Sequence, residues 1–188
     1  LSAEDEPYHR EPITYEAPYL DNLPTAPREK FAANIAAIQK LKEIEQRVAN
    51  GGSPAFEDEQ KILAQYTGWG GLSDAFDPNK SAWSNEYSQL KAALSESEYE
   101  AARSSTLTAF YTPATVIHPI YRALERFGVK GGKILEPSMG TGAFLAHGHF
   151  GSSDAKFYGV ELDGITGRIS KQLYQKANIQ VTGYENAL

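Results

Sequence analysis

The spacing of apolar positions changes partway along this chain and divides it. From Pro27 onward, Phe31, Ile35, Ile38, Leu41, Ile44 and Val48 fall three or four apart. That single stripe predicts an amphipathic helix. Pro27 in its first turn and Gly51-Gly52 beyond its end set the limits. A second helix is predicted over 56–66, and Gly68-Trp69-Gly70-Gly71 forces a turn. Further helical stretches surround Tyr87, Leu90 and Leu94 and cover 98–103. The stripe residues read as core. Trp69 reads as the anchor of its turn rather than a loop residue facing a substrate. Asp74 and Asp77 read as loop and cap residues. Thr112-Pro113 reads as an N-cap followed by proline at the first helical position. That helix runs through Ile117, Ile120, Tyr121 and Leu124 to Gly128, with a kink at Pro119. Short apolar runs then alternate with helical ones: strand 133–135, a short helix from Ala143, strand 156–160, helix 165–177 capped by Asp163, and strand 179–181. Ahead of Pro27, Pro7, Pro12, Pro18 and Pro24 exclude regular helix or sheet. Tyr8, Tyr15 and Tyr19 favour an arm strapped over the domain rather than a disordered tail.

The alternating half carries a chemical signature. Ile134-Leu135-Glu136-Pro137-Ser138-Met139-Gly140-Thr141-Gly142 joins an apolar run to a glycine turn, and Glu161 closes the next apolar run about 20 residues on. That is the adenosine-binding half of a nucleotide-binding βαβ unit. Gly140 and Gly142 let the backbone approach a ligand, and the helix that follows should present free N–H groups. Glu161 can accept hydrogen bonds from both ribose hydroxyls. The dinucleotide fingerprint wants a third glycine, where this chain has Leu145; a P-loop wants a lysine after Gly142, and none follows. Glu136 would repel a pyrophosphate. A carboxylate in the loop suits S-adenosylmethionine (SAM), which carries a sulfonium and an ammonium. His147-Gly148-His149 reads as a polar loop rather than a metal pair.

The run Leu135-Glu136-Pro137-Ser138-Met139-Gly140-Thr141-Gly142 resembles the SAM-binding motif of N6-adenine DNA methyltransferases, and Ala109-Phe110-Tyr111-Thr112-Pro113 stands where that family has Phe-Tyr-Thr-Pro. The pattern is most similar to the methylase region of large methylase–helicase proteins of conjugative elements and phages, to which residues 65–72 and 164–169 also conform. The resemblance covers 61–188. It implies a truncated Rossmann-like SAM-dependent methyltransferase fold of α/β class, holding the first three strands. An extended arm (1–26) and a helical region (27–108) would precede a partial SAM-binding domain (109–188). It implies that Thr112 bonds the methionine carboxylate, with Phe110 and Tyr111 packing nearby. Glu136, Pro137, Ser138 and Gly140 would line the methionine side. Glu161 would hold the ribose and Leu162 the adenine face, and Glu185, or alternatively Asn186, would read the adenine amino group. The family's catalytic Asn-Pro-Pro-aromatic motif is absent. The expected function is therefore the cofactor-binding fragment of an adenine-N6 DNA methyltransferase, inactive alone. Methylation of RNA or protein stays open at this stage, and so does a non-catalytic scaffold of a mobile-element protein. The chain begins with Leu1 and its one methionine is Met139, so it is expected to be a piece of a longer protein.

Composition adds three bounds. There is no cysteine, which excludes disulfides and thiolate zinc sites and fits a cytoplasmic protein. No apolar run reaches membrane-spanning length. The net charge of −6 predicts weak or no DNA affinity for this piece, with DNA engaged through the intact parent. An unpaired first-strand edge predicts a homodimer or aggregation.

Overall fold

The computed structural model describes residues 11–14, 23–148 and 155–187. Among them are seven α-helices and one three-stranded sheet, a mixed α/β arrangement. Helices α1 (Pro27–Ala49), α2 (Glu57–Leu63), α3 (Ser84–Ala93) and α4 (Glu96–Ser104) come first. The second half runs α5 (Ala114–Arg126), β1 (Lys133–Glu136), α6 (Ala143–His147), β2 (Lys156–Glu161), α7 (Gly164–Leu173) and β3 (Asn178–Val181). The sheet is parallel in the order β1-β2-β3. Its register sets Ile134 beside Phe157 and Gly159 beside Ile179, which puts these positions on one face. Phe157 and Ile179 pack with Leu145, Ile165, Ile169 and Leu173, while Ile134 packs with Ile117 and Tyr121 of α5.

The stripe of α1 buries Phe31, Ile35, Ile38, Leu41 and Ile44, and only Val48 at its end is exposed. A single apolar cluster runs from Phe31 to Ile179, so the helical half and the sheet half share one core. Trp69 anchors its turn as expected. It is buried against Phe31, Tyr66 and Phe76, with the Phe76 ring edge-on at 5.3 Å. Polar links join α7 to the helical half. The Arg168 guanidinium donates to both oxygens of Glu45 on α1, at 2.8 and 3.0 Å, and to Glu98 on α4 at 2.8 Å. Glu98 also accepts from Lys42 and from the Ser95 N–H that it caps. Burial alone would raise the Glu98 carboxyl, but the Ser95 N–H, Arg168 and Lys42 together hold it at about 2.

Four expectations need correction or placing. The fifth-helix cap is Pro113, whose backbone is extended, and Thr112 is exposed and caps nothing. Pro113 itself takes ψ 153°, so the helix starts at Ala114 and Thr112 falls one position ahead of the cap. Pro119 lies inside helix α5, as the sequence placed it. Helix α7 ends at Leu173, four residues before the predicted end, because Tyr174 turns to form an antiparallel bridge with Thr14 and the Gln175 N–H donates to Ile13 O instead of continuing the helix. Of the predicted strap, Ile13 and Thr14 are docked at this corner; Tyr8, Tyr15 and Tyr19 lie outside the described residues. No helix of the described residues is long and apolar enough to cross a membrane.

Candidate functional site

Three backbone features fold the chain tightly after β1. Buried Met139 donates its N–H to Val160 O and lays its sulfur where a side chain on Gly159 would stand. Gly140 takes φ +54°, a left-handed backbone that side chains rarely adopt. Its N–H donates to Glu161 Oε2 at 2.8 Å, and its carbonyl accepts from Ser170 Oγ at 2.8 Å. The other Glu161 oxygen accepts the Asp163 N–H at 2.8 Å. The Glu161 carboxylate is thus fixed by two backbone donors. Burial raises its pKa, opposed by those hydrogen bonds.

A hydroxyl cluster backs this carboxylate. Asp163 caps α7, accepting from Thr166 N at 2.8 Å and from Thr166 Oγ1 at 2.5 Å. The Tyr111 hydroxyl lies 3.5 Å from Thr166 Oγ1, and buried Tyr66 also bonds Thr166. Burial pushes both phenols well above their ordinary values, so both stay protonated. The Tyr111 ring is wedged between two glycine turns. A Cβ on Gly140 would come within 2.8 Å of the ring carbons, and one on Gly68 within 2.9 Å of the hydroxyl.

Around these groups lies a hollow of about 450 Å³. One wall is Ser138, Gly140, Glu161 and Asp163, and the floor is Tyr66, Tyr111 and Thr166. The opposite wall comes from the helical half: Ala101 and Ser104 of α4, then Ser105 and Thr108. Phe110 and Leu162 are 68% and 77% exposed yet line the hollow, so two apolar side chains flank its mouth. No lysine or arginine lines it.

The predicted site residues divide. Phe110, Tyr111, Ser138, Gly140, Glu161 and Leu162 line this hollow; Thr112, Glu136, Pro137, Gly142, Glu185 and Asn186 do not. Glu136 shares a sheet face with Glu161 but lies beside Gly159, one pleat short. Its carboxylate accepts the Ser138 N–H, and burial raises its pKa. Burial and the nearby Glu136 charge push the Tyr121 phenol up to about 12, which puts Glu136 toward α5. Gly142 supports the turn from behind, where the Tyr174 ring takes the place of its side chain. Glu185 and Asn186 hydrogen-bond each other in a 3-10 turn past β3. Helix α6 contributes no residue to the lining of this hollow. Tyr66, Gly68, Ser104, Ser105, Thr108, Asp163 and Thr166 were not foreseen as lining. Among the described residues no group of three metal-ligating side chains occurs. His147 instead meets His118 of α5, nitrogen to nitrogen at 3.0 Å, and His149 lies outside the described residues.

Comparison with curated proteins finds a likeness to "Defense against restriction protein B" of Escherichia phage P1, 25% identical over 177 residues, which is 94% of this chain. The chain spans 6% of that protein's length. No protein-family model matches the chain, and no solved structure does. These findings correct the family expectation. The relative's name denotes defence against restriction rather than adenine-N6 methylation, and no family match supports SAM-dependent methylation. Membership of the N6-adenine DNA methyltransferases, and the activity drawn from it, are withdrawn.

Proposed function

We propose that this chain is a nucleoside-cofactor-binding module, with SAM as its ligand, inside a mobile-element protein that counters restriction. The observation that carries the binding half is the Glu161 carboxylate, fixed by the Gly140 and Asp163 N–H groups in a hollow that no cation lines. Each oxygen keeps a lone pair for a ribose hydroxyl. Asp163 adds a second acid, so a cationic ligand is favoured over a polyphosphate. Phe110 and Leu162 offer apolar surfaces to a flat base at the mouth. The β-α-β-α-β order and parallel sheet support a Rossmann-like reading, in which ligands sit beyond the carboxyl ends of strands. The anti-restriction half rests on the likeness to the phage P1 protein. The assignment is one of binding, and no reaction is attached to it. Among the described residues no strand pairs with the outer edge of β1, and this edge is the surface through which we infer self-association.

Calorimetric titration tests the ligand. SAM should bind at micromolar level and ATP and NAD should not. Glu161→Ala should weaken SAM by about tenfold to a hundredfold, the range for losing a charge-assisted hydrogen bond of roughly 1.5–3 kcal/mol. Equal affinity for ATP, or an unchanged Glu161→Ala, would refute the assignment.

A further inference from the structure

We propose that the open face of the sheet, at the beginning of its strands, binds single-stranded nucleic acid. This is independent of the cofactor reading and concerns the opposite end of the strands.

Charge is spread unevenly. Residues 1–113 hold 18 acidic and 10 basic side chains, and residues 114–188 hold 6 acidic and 8 basic. The register places Lys133 of β1 directly beside Lys156 of β2. Like charges so placed repel. Neither lysine forms an ion pair among the described residues, whereas Lys40, Lys42, Lys61, Lys80 and Lys91 of the helical half each have a carboxylate. A repulsive pair left unneutralised in a chain of net charge −6 points to an anion from outside.

Two cavities adjoin at this end of the strands. One of about 330 Å³ lies on the open face and is lined by Lys133; the other, of about 520 Å³, runs under α6 past Leu145 and Ala146 and is lined by Lys156 and Lys176; Tyr158 and Asn178 border both. No acidic residue lines either. Tyr184, 47% exposed, closes the second. Parallel sheets are ordinarily covered on both faces, yet among the described residues the α-helices packed on this sheet lie on the Ile134–Phe157 side. Lysines interleaved with tyrosines and an amide are the components of a single-strand groove: cations follow the phosphates, rings stack on bases, and Asn178 offers both a donor and an acceptor. An acidic peptide would satisfy the lysines and leave the rings unused.

Fluorescence anisotropy of a short labelled oligothymidylate with the full chain tests this. Micromolar binding is expected at low salt, falling with a log–log salt slope of about −2 for three lysines. Lys133→Gln with Lys156→Gln should weaken it about tenfold and flatten the slope. Tyr184→Ala, at an exposed position, should weaken it by about fivefold to a hundredfold, as loss of one stacked base does. Lys61→Gln should change nothing. Circular dichroism establishes that each variant is folded. Absence of binding at low salt would overturn the proposal. So would an unaffected lysine pair, or displacement by polyglutamate together with an indifferent Tyr184→Ala.

Discussion

Substituting Gly140 by alanine tests how the two glycine turns are joined. Gly140 sits at φ +54°, so any side chain costs about 1–2 kcal/mol in backbone strain. The new methyl would lie 2.8 Å from two Tyr111 ring carbons, where carbon atoms prefer roughly 3.5–4.0 Å. The ring must move by most of an ångström, and Gly68 stands behind its hydroxyl. Overpacking of that size costs about 1–3 kcal/mol. Gly140→Ala should therefore lose roughly 2–5 kcal/mol in urea unfolding followed by tryptophan fluorescence. Gly71→Ala isolates the backbone part, since Gly71 has φ +78° and nothing within 4 Å of the added methyl. It should lose only about 1–2 kcal/mol. Adding Tyr111→Ala to Gly140→Ala should remove the clash and make the double variant less than additive. If Gly140→Ala and Gly71→Ala cost the same, the wedge between the turns is wrong.

Two further outcomes follow from the packing and the edge. Arg168→Met should destabilise by about 1–3 kcal/mol, because Glu45 and Glu98 lose a shared partner that is only partly desolvated. Glu98, depressed to about 2, contributes stability above the ordinary glutamate range near about 4.3 and loses it as pH falls toward its folded value. The Arg168→Met deficit, read by acid titration of unfolding, should accordingly shrink below about pH 4; a deficit constant with pH would exclude the ionic account. Light scattering at rising concentration should reveal self-association through the free edge of β1, and a monomer throughout would exclude it.

The fold was legible where the period of apolar residues was unambiguous. The α1 stripe and the three strands were found to within a residue, because buried faces impose spacings of 3.6 or 2 on the sequence. Helix ends were less legible where distant chain decided them. Nothing local to Tyr174 announces that Thr14 will pair there and stop α7. The hydroxyl wall of Ser104, Ser105 and Thr108 was invisible for the same reason. These residues face Glu161 from more than 50 positions away, and serine and threonine at a helix end read equally well as local caps.

The two acids of the glycine loop show why residue type and position together still fall short of a site. Glu136 and Glu161 both end strands, share a face, and have raised pKa values because both are partly buried. The sequence puts both in the site, one on the methionine side and one on the ribose. They differ in what points at them. Glu136 receives one long hydrogen bond, 3.3 Å, from the Ser138 N–H, whereas Glu161 receives two of 2.8 Å from separate turns. A carboxylate whose folded pKa is raised favours folding most below its unfolded pKa, and that contribution is lost as pH rises through the folded value. The ionised form of each acid is thus held at some expense of stability. Glu161 joins two turns through these bonds, and it is also the one that opens into the hollow. The pair of oriented donors, more than the acid itself, marks the residue on which binding should depend.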